Sequence, residues 1–371
     1  LKISTSLNPA SGFKPTACLR KNGFQVLREP METGLDVTVQ GRNALEELPE
    51  KDQILFDAAW KTARSHHDKM VTFYLPGMIR YGREKGRYPA ISITGDRCQL
   101  QCQHCGGRLL EPMLKIETPE QLVELSLGIA KRGAHGILLS GGSDLNGRLP
   151  WPRYFSAIKE IKERTSLRVS VHSGFPDEES CQLLQEAGVD QALIDVIGDQ
   201  ETAVQVYRLS GVQPVLEALR WIKKSGMELV AHIVAGLLFG KMRGEYEALE
   251  IIRQYEPASL VVVSLTPLKG TAMARATPPS PLEVGRLMAK ARLLMPHVPL
   301  SLGCERPRDK QGWLLERFAL MAGANRISIW SESAIRMAGN LGLATRFQAT
   351  CCSIDYKADF ALPFRQSGTS Q

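Results

Sequence analysis

The stretch "AISITGDRCQLQCQHCGG", residues 90–107, joins a short apolar run to a loop carrying three cysteines, Cys98, Cys102 and Cys105. The run has the length of a strand, and the glycine and polar residues behind it end the strand. Strand-then-loop is the first half of an α/β unit, so the fold turns on whether the unit repeats. It does. The runs "GILLS" (136–140), "RVSVH" (168–172), "ALIDVI" (192–197), "ELVAHIV" (228–234), "LVVVSL" (260–265), "PLSLG" (299–303) and "RISIW" (326–330) follow in order. Each is short and most are β-branched, as strands of a parallel sheet buried on both faces are. Helical stretches lie between them, for example at 119–132, 178–187, 213–225 and 282–294. Eight such units in unbroken succession predict an α/β fold, a closed (β/α)8 barrel of the TIM type. A doubly wound open sheet is the alternative.

The barrel takes up residues 88–345. Residues 1–87 read as an N-terminal helical extension. There, "GRNALEELPEKDQILFDAAWKTARSHHD" (41–68) sets Leu45, Leu48, Ile54, Leu55, Ala58 and Ala59 at helical spacing, as two helices joined near Pro49. "TFYLPGMIRYGREKGRYP" (72–89) follows as a loop-rich lead-in, and residues 346–371 form an irregular C-terminal tail. With 371 residues and 43% apolar content the chain can bury a core of this size. No run approaches the roughly 18 apolar residues of a membrane span. The segment "LKISTSLNPASGFKPTACLRKNG" has no apolar signal-peptide core, so the chain is expected to be cytoplasmic, with no membrane partner. The net charge is +7 with the bases scattered. That suits an acidic protein partner, whereas no basic–aromatic patch points to nucleic acid.

The chain has eight cysteines. On a barrel, the loop after a strand opens on the C-terminal face, where active sites lie. In a reducing compartment clustered cysteines favour metal over disulfides. The three thiolates at C-x3-C-x2-C can hold three irons of a 4Fe–4S cube and leave the fourth iron open. Zinc, with His104 as a fourth ligand, is the other reading, and it needs His104 to fold back beside Cys105.

This spacing, on the loop after the first barrel strand, resembles the radical S-adenosylmethionine (SAM) superfamily. The resemblance implies a radical SAM barrel in which the open iron chelates SAM, and an electron from the cluster cleaves SAM to a radical that abstracts hydrogen. His104 stands where that pattern has an aromatic ring. "LLSGGSD" (138–144) resembles the superfamily's Gly-Gly-Glu element. By that likeness the backbone around Ser140, Gly141, Gly142 and Ser143 receives the methionine amino group, with Ser143 in place of the acidic residue. Asp195 and Asp199 in "LIDVIGD" (193–199) sit where relatives bind ribose hydroxyls, and Arg208 could pair with the SAM carboxylate. Capping or a surface ion pair is the other reading for these three. "HIVAGLLFG" (232–240) looks like the strand that lines adenine, and "LTPLKGTAM" (265–273) like the sixth-strand turn. His172 and His232 read as structural histidines at strand ends.

Cys304 ends the seventh strand in "SLGCERPR" (301–308), and Cys351 and Cys352 are adjacent in "ATCCSIDY" (349–356). Together with Cys18 they predict a second, auxiliary 4Fe–4S cluster; free buried thiols are the alternative. Cys181 reads as a buried apolar residue. The chain resembles the biotin synthase branch of the superfamily. More narrowly, "FYLPGMIRY" (73–81) and "SLGCERP" resemble one subunit of the two-subunit lipoyl synthases of archaea and some bacteria. That likeness implies a sulfurtransferase acting on an octanoyl chain held by a lipoyl carrier domain. Cys304 would be catalytic through the auxiliary cluster, the sulfur donor. The implied partners are the octanoylated carrier domain, a second radical SAM subunit and an electron donor such as ferredoxin or flavodoxin. The alternatives are a metallocofactor maturase or methyltransferase, biotin synthase-like sulfur insertion into a small molecule, a nucleic-acid modifier, and an iron–sulfur electron carrier.

Overall fold

The computed structural model describes residues 48–81 and 84–355. Cys18, the helix expected before Pro49 and the end of the tail lie outside the described residues. Eleven strands form one sheet: β1 (Met70–Tyr74), β2 (Ala90–Ser92), β3 (Leu114–Lys115), β4 (Gly136–Ser140), β5 (Arg168–His172), β6 (Gln191–Asp195), β7 (Glu228–Ala235), β8 (Ser259–Ser264), β9 (Leu300–Leu302), β10 (Arg326–Ser328) and β11 (Ala344–Gln348). Their order is β3-β2-β4-β5-β6-β7-β8-β9-β10-β1-β11, and every pairing in it is parallel.

From β4 to β10 each strand is added beside its predecessor, always on the same side. Right-handed crossovers then put every helix on one face, and the sheet curls with its other face inward. A doubly wound sheet would reverse direction partway, and this one does not. The curl brings Tyr74 of β1, Leu193 of β6, Val230 of β7 and Val261 and Val263 of β8 into one buried inner cluster, which also contains Cys352. The larger core lies between sheet and helices, where Ile137, Val169 and Val171 are fully buried with Leu122 and Ile158.

The fold class is as expected, and all eight anticipated strands are present. Three strands are added to this sheet, and in the supposed lead-in Arg80–Tyr81 and Glu84–Lys85 pair antiparallel as a separate two-stranded sheet. Residues 72–74 of the supposed lead-in belong to β1, and 346–348 of the supposed tail belong to β11. The physical reason is that β1 has no local partner: Thr72 pairs with Arg326 on one side and Arg346 on the other. The edge strands β3 and β11 each pair on one side only, so the barrel is a curled eleven-stranded sheet, not an eight-stranded hydrogen-bonded ring.

Helix α1 (Glu50–His66) starts directly after Pro49 and packs across α2 (Pro281–Leu294) and α3 (Lys310–Met321). The buried Asp52 carboxylate accepts two hydrogen bonds from Arg286, both 2.7 Å, and Phe56 stacks on Phe318 at 5.6 Å. Among the described residues no helix is long and apolar enough to cross a membrane.

Candidate active site

The cysteine loop leaves β2 at the C-terminal mouth. Ser92 Oγ donates to Gly95 O (2.6 Å) and Thr94 Oγ1 to Arg97 O (2.9 Å), which folds the strand end into a turn. Cys102 O then accepts from Cys105 N (3.2 Å) and Gly106 N (2.8 Å). Gly106 and Gly107 follow in the left-handed region, φ 51° and 78°, which glycine adopts without steric cost. The Cys102 and Cys105 sulfurs and a His104 ring nitrogen all lie within 4.8 Å of one another. The Cys105 thiol is held down to about 4, first by the hydrogen bond from Cys102, with burial opposing and His104 assisting; the same bond raises Cys102. Such a pair gives up its first proton readily, as a metal ligand must.

The Gly-Gly element supports this loop. A Cβ on Gly142 would lie 2.0 Å from Arg97 O and 2.5 Å from the Cys98 Cα and Cβ. Gly142 N donates to Thr94 Oγ1 (2.7 Å), and Ser143 O accepts from Gln99 N (2.8 Å) and Leu100 N (3.3 Å). Ser140, at the buried end of β4, accepts from Ile93 N through its carbonyl.

Asp195 ends β6, with its Oδ2 accepting from Tyr207 OH at 3.0 Å. The Tyr207 ring lies 5.2 Å from that of His104, and this buried tyrosine was not anticipated from the sequence. Its neighbour Arg208 is exposed, at φ 58°. Asp199 is committed to the helix at Gln200–Gln205, where Oδ1 accepts from Thr202 N at 2.9 Å. On the far side of Asp195, His172 Nε2 stands 3.9 Å from Oδ1, and the His172 and His232 rings are 5.3 Å apart. Burial, and then His172, push His232 down to about 4, so it is neutral at pH 7.

The array continues to the second set of cysteines. Cys304 is reached by solvent just past the end of β9, Cys351 is half-buried, and Cys352 is buried on the inner face. Their charges couple. Desolvation pushes the Cys304 thiol up to about 11, with Glu305 and Cys351 adding to it. Cys351 is pulled down to about 6, first by a hydrogen bond from Cys352, then against burial by Ser353 and, more weakly, by His172. Glu305 is held above the ordinary carboxylate range by burial, against a bond from Thr266 and the charges of Arg308, Arg306 and His104. His104 and Glu305 therefore feel each other across the mouth. Among the described residues only Cys102, His104 and Cys105 converge tightly enough for a single ion. The Cys304, Cys351 and Cys352 sulfurs do not converge in this way. Cys181 is buried, as expected, with its thiol pushed up to about 12 by desolvation.

Residues 92–249 match the model of the Radical SAM superfamily. The chain is 27% identical over 243 residues to the biotin synthase of Syntrophotalea carbinolica, covering 61% of this chain and 71% of that protein. It is 25% identical over 311 residues to the biotin synthase of Zymomonas mobilis, covering 77% and 88%. Among solved structures, methylornithine synthase (PylB) superposes with a TM-score of 0.57 at 16% identity, over 82% of this chain and 92% of that one. The FeFe-hydrogenase maturase HydG from Carboxydothermus hydrogenoformans gives 0.57 at 16% identity, over 83% and 75%. At that identity the structural likeness speaks for the fold.

Proposed function

We propose that this chain is a radical SAM enzyme that inserts sulfur at an unactivated carbon of a protein-bound octanoyl chain. The family implies SAM and a 4Fe–4S cluster; the reading is supported by three thiols on one loop, by Cys102 and Cys105 converging with His104, and by the Cys105 thiol held below its usual range by its neighbours. Cys98, Cys102 and Cys105 would hold the cluster. When bound with SAM, it supplies homolytic removal of hydrogen from carbon, which side-chain acids and bases cannot perform. The chain's own residues place the reactants. Tyr207 holds the Asp195 carboxylate and Gly142 lets β4 close on the loop.

One observation carries the sulfur-insertion reading. A second cysteine set, Cys304, Cys351 and Cys352, whose members act on one another, is linked to the mouth through Cys351, which feels His172 beside Asp195. Two metal-competent sites across one array suit a reaction that opens a C–H bond on one side and delivers sulfur from the other. The partners in this reading are an octanoylated lipoyl carrier domain, a second radical SAM subunit and a small electron donor of the ferredoxin or flavodoxin class. The test is mass spectrometry of the carrier after anaerobic incubation with SAM and reductant, with and without the second subunit. Wild type should add sulfur to the acyl chain. Cys304→Ala should cleave SAM yet transfer less than a tenth as much sulfur. SAM cleavage with no sulfur on the carrier in either condition rejects the proposal.

A second reading is sulfur insertion into a free small molecule, as the biotin synthase relatives suggest. It is favoured by the polar character of Asp195, His172 and His232 between the two sites, which an all-methylene chain does not use. It predicts the added sulfur in the low-molecular-weight fraction instead of on the carrier.

A further inference from the structure

We propose that Arg306 and Arg326 are positioning residues that preset the second cysteine site, each clamping one of the two chain segments that carry it. The inference rests on the reading that Cys304, Cys351 and Cys352 hold a cluster.

Arg306 is buried. Its Nη1 donates to Gly303 O (2.7 Å) and Ser328 O (2.6 Å), and its Nη2 to Glu316 Oε1 (2.5 Å) and to Ile329 O. One guanidinium thus ties the turn bearing Cys304 to the turn after the neighbouring strand β10. That second turn is strained, because Ile329 has φ 54°, a conformation β-branched residues avoid. Glu316 completes the node by accepting from Ser331 N (3.1 Å) and Ser331 Oγ (2.5 Å). Arg308 closes the same turn by donating to Cys304 O.

Arg326 projects inward from β10 and is also buried. Its Nη1 donates to Cys352 O (3.2 Å) and Ser353 O (3.1 Å). Ser301 Oγ of β9 reaches the same Cys352 carbonyl (3.3 Å), Gln191 Nε2 of β6 reaches Ser353 O (3.2 Å), and Tyr74 OH of β1 reaches Ile354 O (2.9 Å). The segment 350–354 is therefore held inside the barrel by its carbonyls, with Cys352 packed in the inner cluster and Cys351 Sγ accepting from Ser353 Oγ (3.3 Å).

Burying guanidinium groups is costly, and apolar side chains could have seated the segment more cheaply. Arg306 is balanced by Glu316, but the carboxylate nearest Arg326, that of Asp355 at 3.5 Å, is largely exposed. A fixed buried cation beside the segment favours a cluster of higher negative charge over an empty site, which is why its removal should shift the potential.

The experiment uses the full chain with Cys98, Cys102 and Cys105 all changed to Ala, so that only the second site can load. Arg306→Lys, Arg326→Lys and Arg326→Met are compared with this parent after anaerobic reconstitution, by iron per chain, electron paramagnetic resonance of the reduced state, midpoint potential and apoprotein Tm. Arg306→Lys should lose at least half the bound iron. Arg326→Met should lose as much and shift the potential of what remains to more negative values. Arg326→Lys restores the charge but not the fork to two carbonyls, so it should recover the potential while keeping an altered resonance. Ser301→Ala, a milder loosening of the same segment, should give a smaller change in the resonance, and it decides the matter if an arginine variant fails to fold. Parental iron, resonance and potential in the variants that fold, whatever their Tm, would overturn the inference. A parent that binds no iron rejects the cluster reading itself and this inference with it.

Discussion

Gly142 is the tightest steric point in the first site, because a Cβ there meets the backbone of Arg97 and Cys98 and not a movable side-chain tip. Gly142→Ala should push Cys98 out of register with Cys102 and Cys105. Overpacking of this kind costs about 1–3 kcal/mol. The expected outcome is at least a tenfold loss of SAM cleavage, with iron lost from the first site and kept at the second, read by metal analysis and 5′-deoxyadenosine assay. The cysteine spacing and the Gly-Gly pair were legible because both are local. Tyr207 was not, because its partners Asp195 and His104 are brought to it only by the barrel. The one available signal was its place beside Arg208 in "VYRLSG". Asp199 shows the opposite case: a short acidic side chain ahead of a helix is as readily a cap as a ligand, and here it caps.

At the level of elements, the strands with β-branched runs were visible, and so were the helices with a start signal. Thr118 with Gln121 and Ser280 with Glu283 each form reciprocal capping boxes. The strands β1 and β11 escaped because a strand paired only with distant segments carries no neighbouring helix rhythm, and β3 is only two residues long. Helix α1 is held to the barrel by one polar contact that can be tested. Asp52 is almost wholly buried, while Arg286 is partly exposed. Asp52→Asn should therefore cost less than a fully buried pair, about 2 kcal/mol, seen as a lower denaturant midpoint with an unchanged slope. The Arg286 bonds hold the Asp52 carboxyl below its usual range, against burial. That part of the stability is complete above the unfolded carboxylate value and disappears as the pH falls through the folded one.

For the whole molecule, two histidines outside the mouth add to the loss of stability on the acid side. His67 joins the end of α1 to Arg292 of α2, which donates to its Nε2 (2.7 Å) as well as to Pro296 O and Val298 O (both 2.9 Å). The same nitrogen lies 2.9 Å from Pro296 O, so the ring sits against both a guanidinium and a carbonyl. Desolvation, then Arg292, push His67 down to about 4, and desolvation, then Arg87, do the same to His135. The unfolded chain takes up these protons near pH 6.5 and the folded chain only near 4, so stability is full above 6.5 and falls as the pH drops through that window. Both rings are partly solvated, so the loss is about 1 kcal/mol for each. Urea unfolding at pH 7 and pH 5 should show the lower midpoint at pH 5, and His67→Gln should remove part of the difference.

The placement of β1 between β10 and β11 also has a kinetic meaning. Met70–Tyr74 precedes almost the whole barrel, yet both its neighbours come near the other end of the sheet. Closing so long a loop is entropically slow. While it waits, this apolar and aromatic ribbon offers two free edges to any other chain nearby. Refolding from urea should therefore yield less monomer as protein concentration rises, with the loss arising before β1 is inserted and not from the finished barrel.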